Sequence, residues 1–402
     1  MDGSQRTRLL LQYLEPSDAV RRAAPAGSAD RLTAALSYLP VTDVALGWRL
    51  EPAVIEAVRP RIPLGVTVWR WVPMFSDPGS GLLDPGHLAV GATGGPPSPF
   101  QRSADFRFLC PDHDEVVETS LARAAALAAE IDADGVLLDR IRWHSPSRSP
   151  TRELTCFCER SRGLATGDGL DLRAVARELE TASGSMDGRR AVVAALLGCV
   201  GDGALAEFLS WRGERITRAV TRLVQGLRGH GLRSALDVFT PSLSRSVGQD
   251  LAALGGLAEW SKTMTYLDAV GPASMPFELQ GYASWLTETG DPDAPGFISR
   301  SLGFEPPGLT GGGPRLSALR SEMSRLVDLV GQRRAVVGLD AVEMAGVCEV
   351  RDADLSARIG TVMAAGLGIA PSWDLLFISP ARVALMAQVP GMGRASVGGG
   401  PA

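Results

Sequence analysis

The chain has 402 residues and a mass of 42.3 kDa, with 45% hydrophobic and 21% charged residues. This length and composition fit one large domain or two medium ones and exclude global disorder. The net charge is −5 and the pI is about 5.6, so no global basic field attracts nucleic acid or anionic lipid. No apolar run reaches the ~18 residues of a membrane helix.

The residue types narrow the function classes further. The first residues hold only a short leucine run at Leu9–Leu11, too short for a signal peptide, and we expect a cytoplasmic protein. Of 40 basic residues only Lys262 is a lysine, and there is no asparagine, which is typical of a GC-rich genome. We therefore expect most arginines to be solvated. Five cysteines without a secretory signal argue against a disulfide framework.

Short apolar runs alternate with helical patterns along the chain, which is typical of a mostly parallel α/β sheet or barrel. Helical patterns are clearest at Val117–Ile131, Leu205–His230 and Arg315–Leu329. Eight strands are predicted, at Arg8–Tyr13, Asp43–Trp48, Leu64–Trp71, Gly135–Ile141, Ser234–Phe239, Ser261–Tyr266, Ala335–Ala341 and Gly366–Trp373. The sequence therefore predicts a (β/α)8 barrel, with a doubly wound open sheet as the alternative.

The pattern predicts one barrel domain over residues 1–390 and a flexible Gly-rich tail over 391–402. Insertions are predicted at about 76–105, 144–200 and 267–315, after the third, fourth and sixth strands. Loops at the C-terminal ends of barrel strands form the active face, so we expect these insertions to surround a site. No Gly-x-Gly-x-x-Gly or Walker loop follows a strand, and no cofactor is expected.

The fourth strand ends in a carboxylate, Asp139, followed by two arginines and a tryptophan. A buried carboxylate is costly unless it is paired, so its presence needs a reason. One interpretation makes Asp139 a nucleophile or base whose charge is held by Arg142. The alternative is an Asp–Arg pair that closes the barrel.

Three later carboxylates are candidate partners for Asp139. Asp237 shares a strand face with Ala235 and Phe239, as an inward position requires, although it also fits a loop cap. Asp340 and Glu343 have opposite parity, so at most one of them points inward from a regular strand. Asp340 is slightly preferred because it shares its parity with Gly338.

Aromatic residues recur near the predicted strand ends. Large rings at a barrel rim are platforms for the apolar faces of sugars, although any one of them is more often a packing residue. The candidate substrate-binding residues are Arg142, Trp48, Trp69, Trp71, Trp143, Tyr266, Trp373 and Asp374.

Lys262, the single lysine, lies in the sixth strand. A desolvated lysine there would be able to form a Schiff base, as in barrel aldolases. Because Lys262 comes early in its strand, we favour a structural ammonium bonded to carbonyls or to a carboxylate.

Three cysteines, Cys110, Cys156 and Cys158, offer thiolates to a soft metal. A Cys-x-Cys-x-x-Cys pattern would continue at Ser161, so a fourth ligand is missing. Structural zinc sites are almost always four-coordinate, and we therefore expect buried free thiols and no metal.

Two groups of segments resemble glycoside-hydrolase-like barrel proteins related to the α-amylase and α-galactosidase barrels. The first runs from Cys110-Pro111-Asp112 through Asp134–Arg142 to Cys156-Phe157-Cys158, and the second comprises Val247–Asp250, Trp260–Tyr266 and Gly271-Pro272. The resemblance implies that Asp139 is the nucleophile and that a carboxylate on a later strand is the acid. The chain departs from the pattern at Ser161, and it lacks the Asn-Glu pair that ends the fourth strand of another large group of retaining barrels.

The sequence thus predicts a glycoside hydrolase that acts on a small-molecule or oligosaccharide substrate through two carboxylates, with Asp139 as the fixed member. No nucleic-acid or membrane partner is expected. Two alternatives stay open, namely a non-catalytic carbohydrate-binding barrel and a Schiff-base lyase or aldolase that uses Lys262.

Overall fold

Eight parallel strands form the centre of the molecule. The computed structural model describes residues 7–14, 28–77, 84–98, 107–199, 201–309 and 315–393. The strands are β1 (Leu10–Tyr13), β2 (Asp43–Gly47), β3 (Thr67–Pro73), β4 (Gly135–Asp139), β5 (Arg233–Phe239), β6 (Ser261–Met264), β7 (Ala335–Asp340) and β8 (Gly368–Ser372). They pair in that order, and a parallel bridge between Leu9 and Ile369 joins the last strand to the first. The predicted (β/α)8 barrel is confirmed.

Helices cover the outside of the barrel and fill the long connections. The longest ones confirm the three clearest helical patterns of the sequence. Helices of five or more residues in the described ranges are Ser28–Tyr38, Pro52–Val58, Asp114–Glu130, Glu159–Gly167, Leu172–Ser183, Met186–Leu196, Ala204–Gly229, Leu251–Gly255, Met275–Thr287, Ala294–Leu302, Arg315–Val330, Asp352–Ala364 and Pro380–Ala387. Two four-residue helices, Pro150–Glu153 and Pro241–Ser244, follow β4 and β5. No helix in the described ranges has the length and apolar character to cross a membrane.

The predicted insertions contain structure of their own. The described residues 144–199 include four helices, and the described residues 267–309 include two. The segment after β3 forms a two-stranded ladder in which Ser76–Asp77 pairs with Arg107–Phe108. Parts of the first insertion, residues 78–83 and 99–106, lie outside the described residues, as does the predicted tail from residue 394.

The strand boundaries differ from the prediction by one to three residues, and two of the differences have clear local reasons. The third strand begins at Thr67 because Leu64, counted as part of the apolar run, is fully exposed in a turn before Gly65. The fourth strand ends at Asp139 because Arg140 has a φ of 52°, in the left-handed region that interrupts a strand. Asp139 therefore stands at the very end of β4.

Large rings fill the N-terminal end of the barrel interior. The rings of Trp69 and Trp260 meet edge to face with their centroids 5.1 Å apart. The Trp69 indole N–H donates to Asp43 Oδ1 at 2.7 Å, and Arg8 forms an ion pair with the same carboxylate. This packing closes one end of the barrel, so polar chemistry inside it is confined to the C-terminal end.

The interior is tight at Gly338 of β7. A Cβ atom at this position would lie 2.4 Å from the Thr263 carbonyl oxygen and 2.8 Å from Lys262 Cε. Glycine therefore provides the space through which the Lys262 side chain passes.

We expect Gly338→Ala to lower the free energy of unfolding by about 1–3 kcal/mol, because backbone and side-chain atoms must move to admit the methyl group. Urea unfolding followed by circular dichroism measures the change. Gly163→Ala is the matched control, since nothing lies within 4 Å of its added Cβ and it sits in the helix Glu159–Gly167. The control should be neutral or stabilising by up to about 1 kcal/mol. Equal effects of the two substitutions would contradict the steric explanation.

Candidate functional site

The C-terminal end of the barrel carries polar side chains at one level on three neighbouring strands. Leu138 pairs with Leu236, so Asp139 at the end of β4 lies level with Asp237 of β5. Asp237 in turn pairs with Lys262 of β6. Residues in register on neighbouring parallel strands point to the same face. Asp139, Asp237 and Lys262 therefore form a row across the inside of the barrel.

A buried ion pair is at the centre of this row. Lys262 Nζ donates to both carboxylate oxygens of Asp237, at 2.8 Å and 3.1 Å, and to the Tyr266 hydroxyl at 3.1 Å. The side chains of Lys262 and Asp237 are only 1% and 4% exposed. The prediction that Lys262 is an ammonium bonded to a carboxylate matches this geometry.

Further polar groups extend the network around the barrel. The Tyr266 hydroxyl interacts with Ser372 at the end of β8, and Ser372 Oγ donates to Gln12 Oε1 of β1 at 3.0 Å. The sequence analysis did not single out Gln12 and Ser372. Each is a polar residue in an otherwise apolar strand, at a position whose side chain points into the barrel. This pattern could have identified both residues.

Burial and charge shift the protonation of this network. Burial, the largest effect, and the charge of Asp139 raise the pKa of Asp237 to about 6, although the Lys262 ammonium opposes them. Burial alone would lower the pKa of Lys262, but Asp237 and Tyr266 outweigh it and hold that pKa above its usual value. Burial also raises the pKa of Tyr266 to about 12. The lysine is therefore charged at neutral pH, whereas Asp237 exchanges its proton close to neutral pH.

Asp139 is held by the backbone that follows it. Its Oδ1 accepts from the Arg140 amide at 2.6 Å, and Arg140 Nε lies 3.9 Å from its Oδ2. Arg142 forms no ion pair with Asp139 within 4 Å in the described residues. Its guanidinium lies between the rings of Phe108 and Phe239, at 4.5 Å and 4.6 Å, and burial lowers the pKa of Arg142 to about 10. Its charge still interacts with Asp139 through space.

The other two candidate partner carboxylates have different surroundings. Asp340 is fully buried, accepts from the amides of Asp268 and Ala269, and pairs with Arg358 at 3.2 Å. Glu343 lies after the barrel strand, is exposed, and accepts from the Ser379 amide at 2.8 Å. Asp237 is thus the candidate whose pKa responds to the charge of Asp139, whereas Asp340 is bound to a helix and a loop.

The predicted aromatic rim is only partly present. Trp69 and Trp143 have no exposed surface, because Trp69 packs at Gly135 near the N-terminal end and Trp143 packs beneath Gly248. Neither offers a ring face to a ligand in this structure. The Trp48 and Trp373 side chains are half-buried, and the ring of Trp373 lies 5.9 Å from that of Tyr266.

The remaining predicted binding residue is Asp374. It is fully buried, and its Oδ1 accepts from the amides of Leu14 at 3.2 Å and Leu376 at 3.1 Å. In this position it joins the segment after β8 to the end of β1.

Within the described residues, two groups of side chains have ligand atoms close enough to hold a metal ion. Cys110, Cys156 and Cys158 form one, and His87, His113 and Glu115 form the other. All three cysteines are buried, and none of them forms a disulfide bond. Neither group contacts the Asp237–Lys262 pair.

The fold is shared with solved structures of low sequence identity. The glycoside hydrolase domain of PgaB (BpsB) from Bordetella bronchiseptica matches with a TM-score of 0.54 and 12% identity, over 92% of this chain and 95% of that chain. Alpha-L-fucosidase isoenzyme 2 from Paenibacillus thiaminolyticus matches with a TM-score of 0.51 and 12% identity, over 96% of this chain and 49% of that chain. No protein-family model and no curated protein matches the sequence. At this identity the likeness establishes the common barrel fold.

We expect Asp237→Asn to lower the free energy of unfolding by about 3–5 kcal/mol, because it leaves the Lys262 ammonium buried without a counter-charge. Lys262→Met should destabilise the fold less, because without the ammonium the pKa of Asp237 rises and its carboxyl group is neutral at pH 7. The double variant should be destabilised by much less than the sum of the two single changes. Urea unfolding of all four proteins at pH 7 measures this coupling. Strictly additive effects would show that the pair does not stabilise the fold as a unit.

Proposed function

We propose that the protein is a glycoside hydrolase whose two catalytic carboxylates are Asp139 and Asp237. The observation that carries the proposal is the placement of the two groups. They lie level on neighbouring strands at the active end of a barrel, and the charge of Asp139 helps to raise the pKa of Asp237 to about 6. Cleavage of a glycosidic bond requires two carboxyl groups in different environments. One donates a proton, and the other acts as an anion.

The environments favour one division of roles. Asp237 is the proton donor to the leaving oxygen, since burial and Asp139 bring its pKa close to neutral pH. Asp139, at the end of its strand beside Arg140, is the anion that attacks the anomeric carbon or activates a water molecule. Lys262 lowers the pKa of Asp237 against the larger effect of burial, and its two hydrogen bonds orient the carboxylate.

The shared fold is consistent with this chemistry. The two similar structures are a glycoside hydrolase domain and a fucosidase. This support is by analogy at the level of the fold, whereas the argument for function rests on the site. The half-buried ring of Trp373, beside Tyr266, offers apolar surface for the C–H faces of a sugar, whereas the ring of Trp48 is covered by Arg49 at 4.4 Å.

The lyase alternative requires a neutral amine at Lys262. A Schiff base forms by attack of an unprotonated lysine on a carbonyl carbon. The Asp237 and Tyr266 contacts hold the pKa of Lys262 above its usual value, so the amine is protonated at neutral pH. The ion pair therefore favours the hydrolase over the lyase.

Hydrolysis is tested with a panel of aryl glycosides and reducing-end-labelled oligosaccharides, followed by mass spectrometry. We expect a cleaved product for at least one sugar class, and at least a 10³-fold lower kcat for Asp139→Asn with an unchanged circular dichroism spectrum. Asp293→Asn, which alters an exposed ion pair with Arg300, should keep wild-type activity. Full activity of Asp139→Asn would exclude the assignment. Sugar binding by calorimetry without any product would instead support a carbohydrate-binding barrel.

The pH dependence of the cleavage tests the role of Asp237. A proton donor must be protonated in the free enzyme, so kcat/KM should fall as the pH rises through about 6. Lys262→Met removes the charge that lowers the pKa of Asp237. The fall in kcat/KM should then occur at a higher pH. Arg300→Met, which changes an exposed side chain in the helix Ala294–Leu302, should leave the pH of this fall unchanged. A rate that rises through pH 6 would mean that Asp237 acts as the anion.

A further inference from the structure

Three cysteines from two separate segments meet in one buried cluster. Cys110 comes from the loop before the helix Asp114–Glu130, and Cys156 and Cys158 come from the loop after β4. The three Sγ atoms lie within 4.8 Å of one another, and those of Cys110 and Cys158 are 3.6 Å apart. Two thiolates on a tetrahedral zinc ion, with Zn–S bonds of about 2.3 Å, are about 3.8 Å apart. The spacing is that of a zinc ligand set.

Backbone amides are directed at two of the sulfurs. Cys156 Sγ accepts from the Val90 amide at 3.4 Å and from the Cys158 amide at 3.5 Å, and Cys158 Sγ accepts from the Ser161 amide at 3.4 Å. A neutral thiol is a weak acceptor, whereas a thiolate is a strong one. Three amides directed in this way suit sulfurs that carry negative charge.

A buried cation beside the cluster lacks a carboxylate. Arg212 is completely buried, and its guanidinium donates to the carbonyl oxygens of Thr155 and Ser246. Its Nη2 has no hydrogen-bond partner, and Arg212 makes no ion pair within the described part of the chain. Since an uncompensated buried charge is costly, Arg212 requires a nearby anion.

A candidate fourth ligand lies next to Cys158. The Nε2 atom of His113 is 3.8 Å from Cys158 Sγ. The sequence pattern places Ser161 at the fourth position, and its hydroxyl lies 3.3 Å from the sulfurs of Cys110 and Cys158 while it donates to Asp112 Oδ2 at 2.7 Å. Imidazole is a common zinc ligand, whereas a serine hydroxyl is not among the usual ones.

We propose that Cys110, Cys156 and Cys158 bind a zinc ion as thiolates, with His113 as the fourth ligand. Binding releases the three thiol protons to solvent. Three thiolates, one neutral imidazole and Zn²⁺ leave a single net negative charge, which is the counter-charge that Arg212 lacks. With all four positions taken by protein the site is structural, and it joins the loop after β3 to the loop after β4.

Zinc content tests the proposal on the full-length protein purified without chelators. Mass spectrometry of the metal should give about one zinc ion per chain. After exchange, Co²⁺ should produce intense thiolate-to-metal charge-transfer absorption. Neither measurement depends on the folding of a variant. A folded wild-type protein that holds no zinc and gives no such absorption with added Co²⁺ overturns the proposal.

Substitutions then locate the ion. Cys158→Ser should lose most of the zinc, and His113→Gln should weaken Co²⁺ binding at least about 10-fold. Cys348→Ser is the matched control, because Cys348 is another buried free thiol outside the cluster. It should keep its full zinc content. Zinc that is retained in Cys158→Ser but lost in His87→Ala would place the ion at the neighbouring histidine group and would contradict the thiolate site.

Discussion

The ammonium of Lys262 lies inside the barrel with 1% of its side chain exposed, and most of the candidate site is arranged around that charge. Removing an ammonium from water costs several kcal/mol unless a carboxylate and further acceptors replace the lost hydration. Asp237 and Tyr266 provide these groups, and Gly338 leaves the space for the lysine side chain. The same carboxylate lies level with Asp139. One electrostatic requirement thus fixes both the packing of the barrel interior and the environment of the proposed proton donor.

Other side-chain cations are also buried in this chain, and each is stabilised by a different set of neighbouring groups. Arg358 reaches from an outer helix to Asp340 and also pairs with Asp268, so that it joins the end of β7 to the loop after β6. Arg142 lies between two phenyl rings, and Arg212 lies among carbonyl oxygens beside the cysteines. Composition alone suggested that the arginines of this chain are mostly solvated. These three arginines depart from that expectation. A guanidinium, which is planar and weakly hydrated, is the cation best suited to a buried position.

The barrel was predictable because its strands are buried on both faces and read as short, nearly continuous apolar runs. The candidate functional site was harder to predict than the barrel. Parity alone made Asp340 a good inward candidate, but it cannot reveal that Arg358 approaches from a helix 18 residues later. Parity also does not show at which end of the barrel a ring lies, which is why Trp69 was expected at the rim. His113 and Cys158, 45 residues apart, are brought together only by the fold.

The hydrogen bond between Ser372 and Gln12 joins residues that are 360 positions apart. Contacts of such separation are slow to form, since a long loop must close before any of them is gained. During synthesis β1 emerges from the ribosome long before β8. The edge of β1 that pairs with β8 therefore stays unpaired until the rest of the barrel has been synthesised. The polar ring around Lys262 is therefore complete only after the two outermost strands meet. Activity at this site would report the final step of folding and not the formation of the sheet.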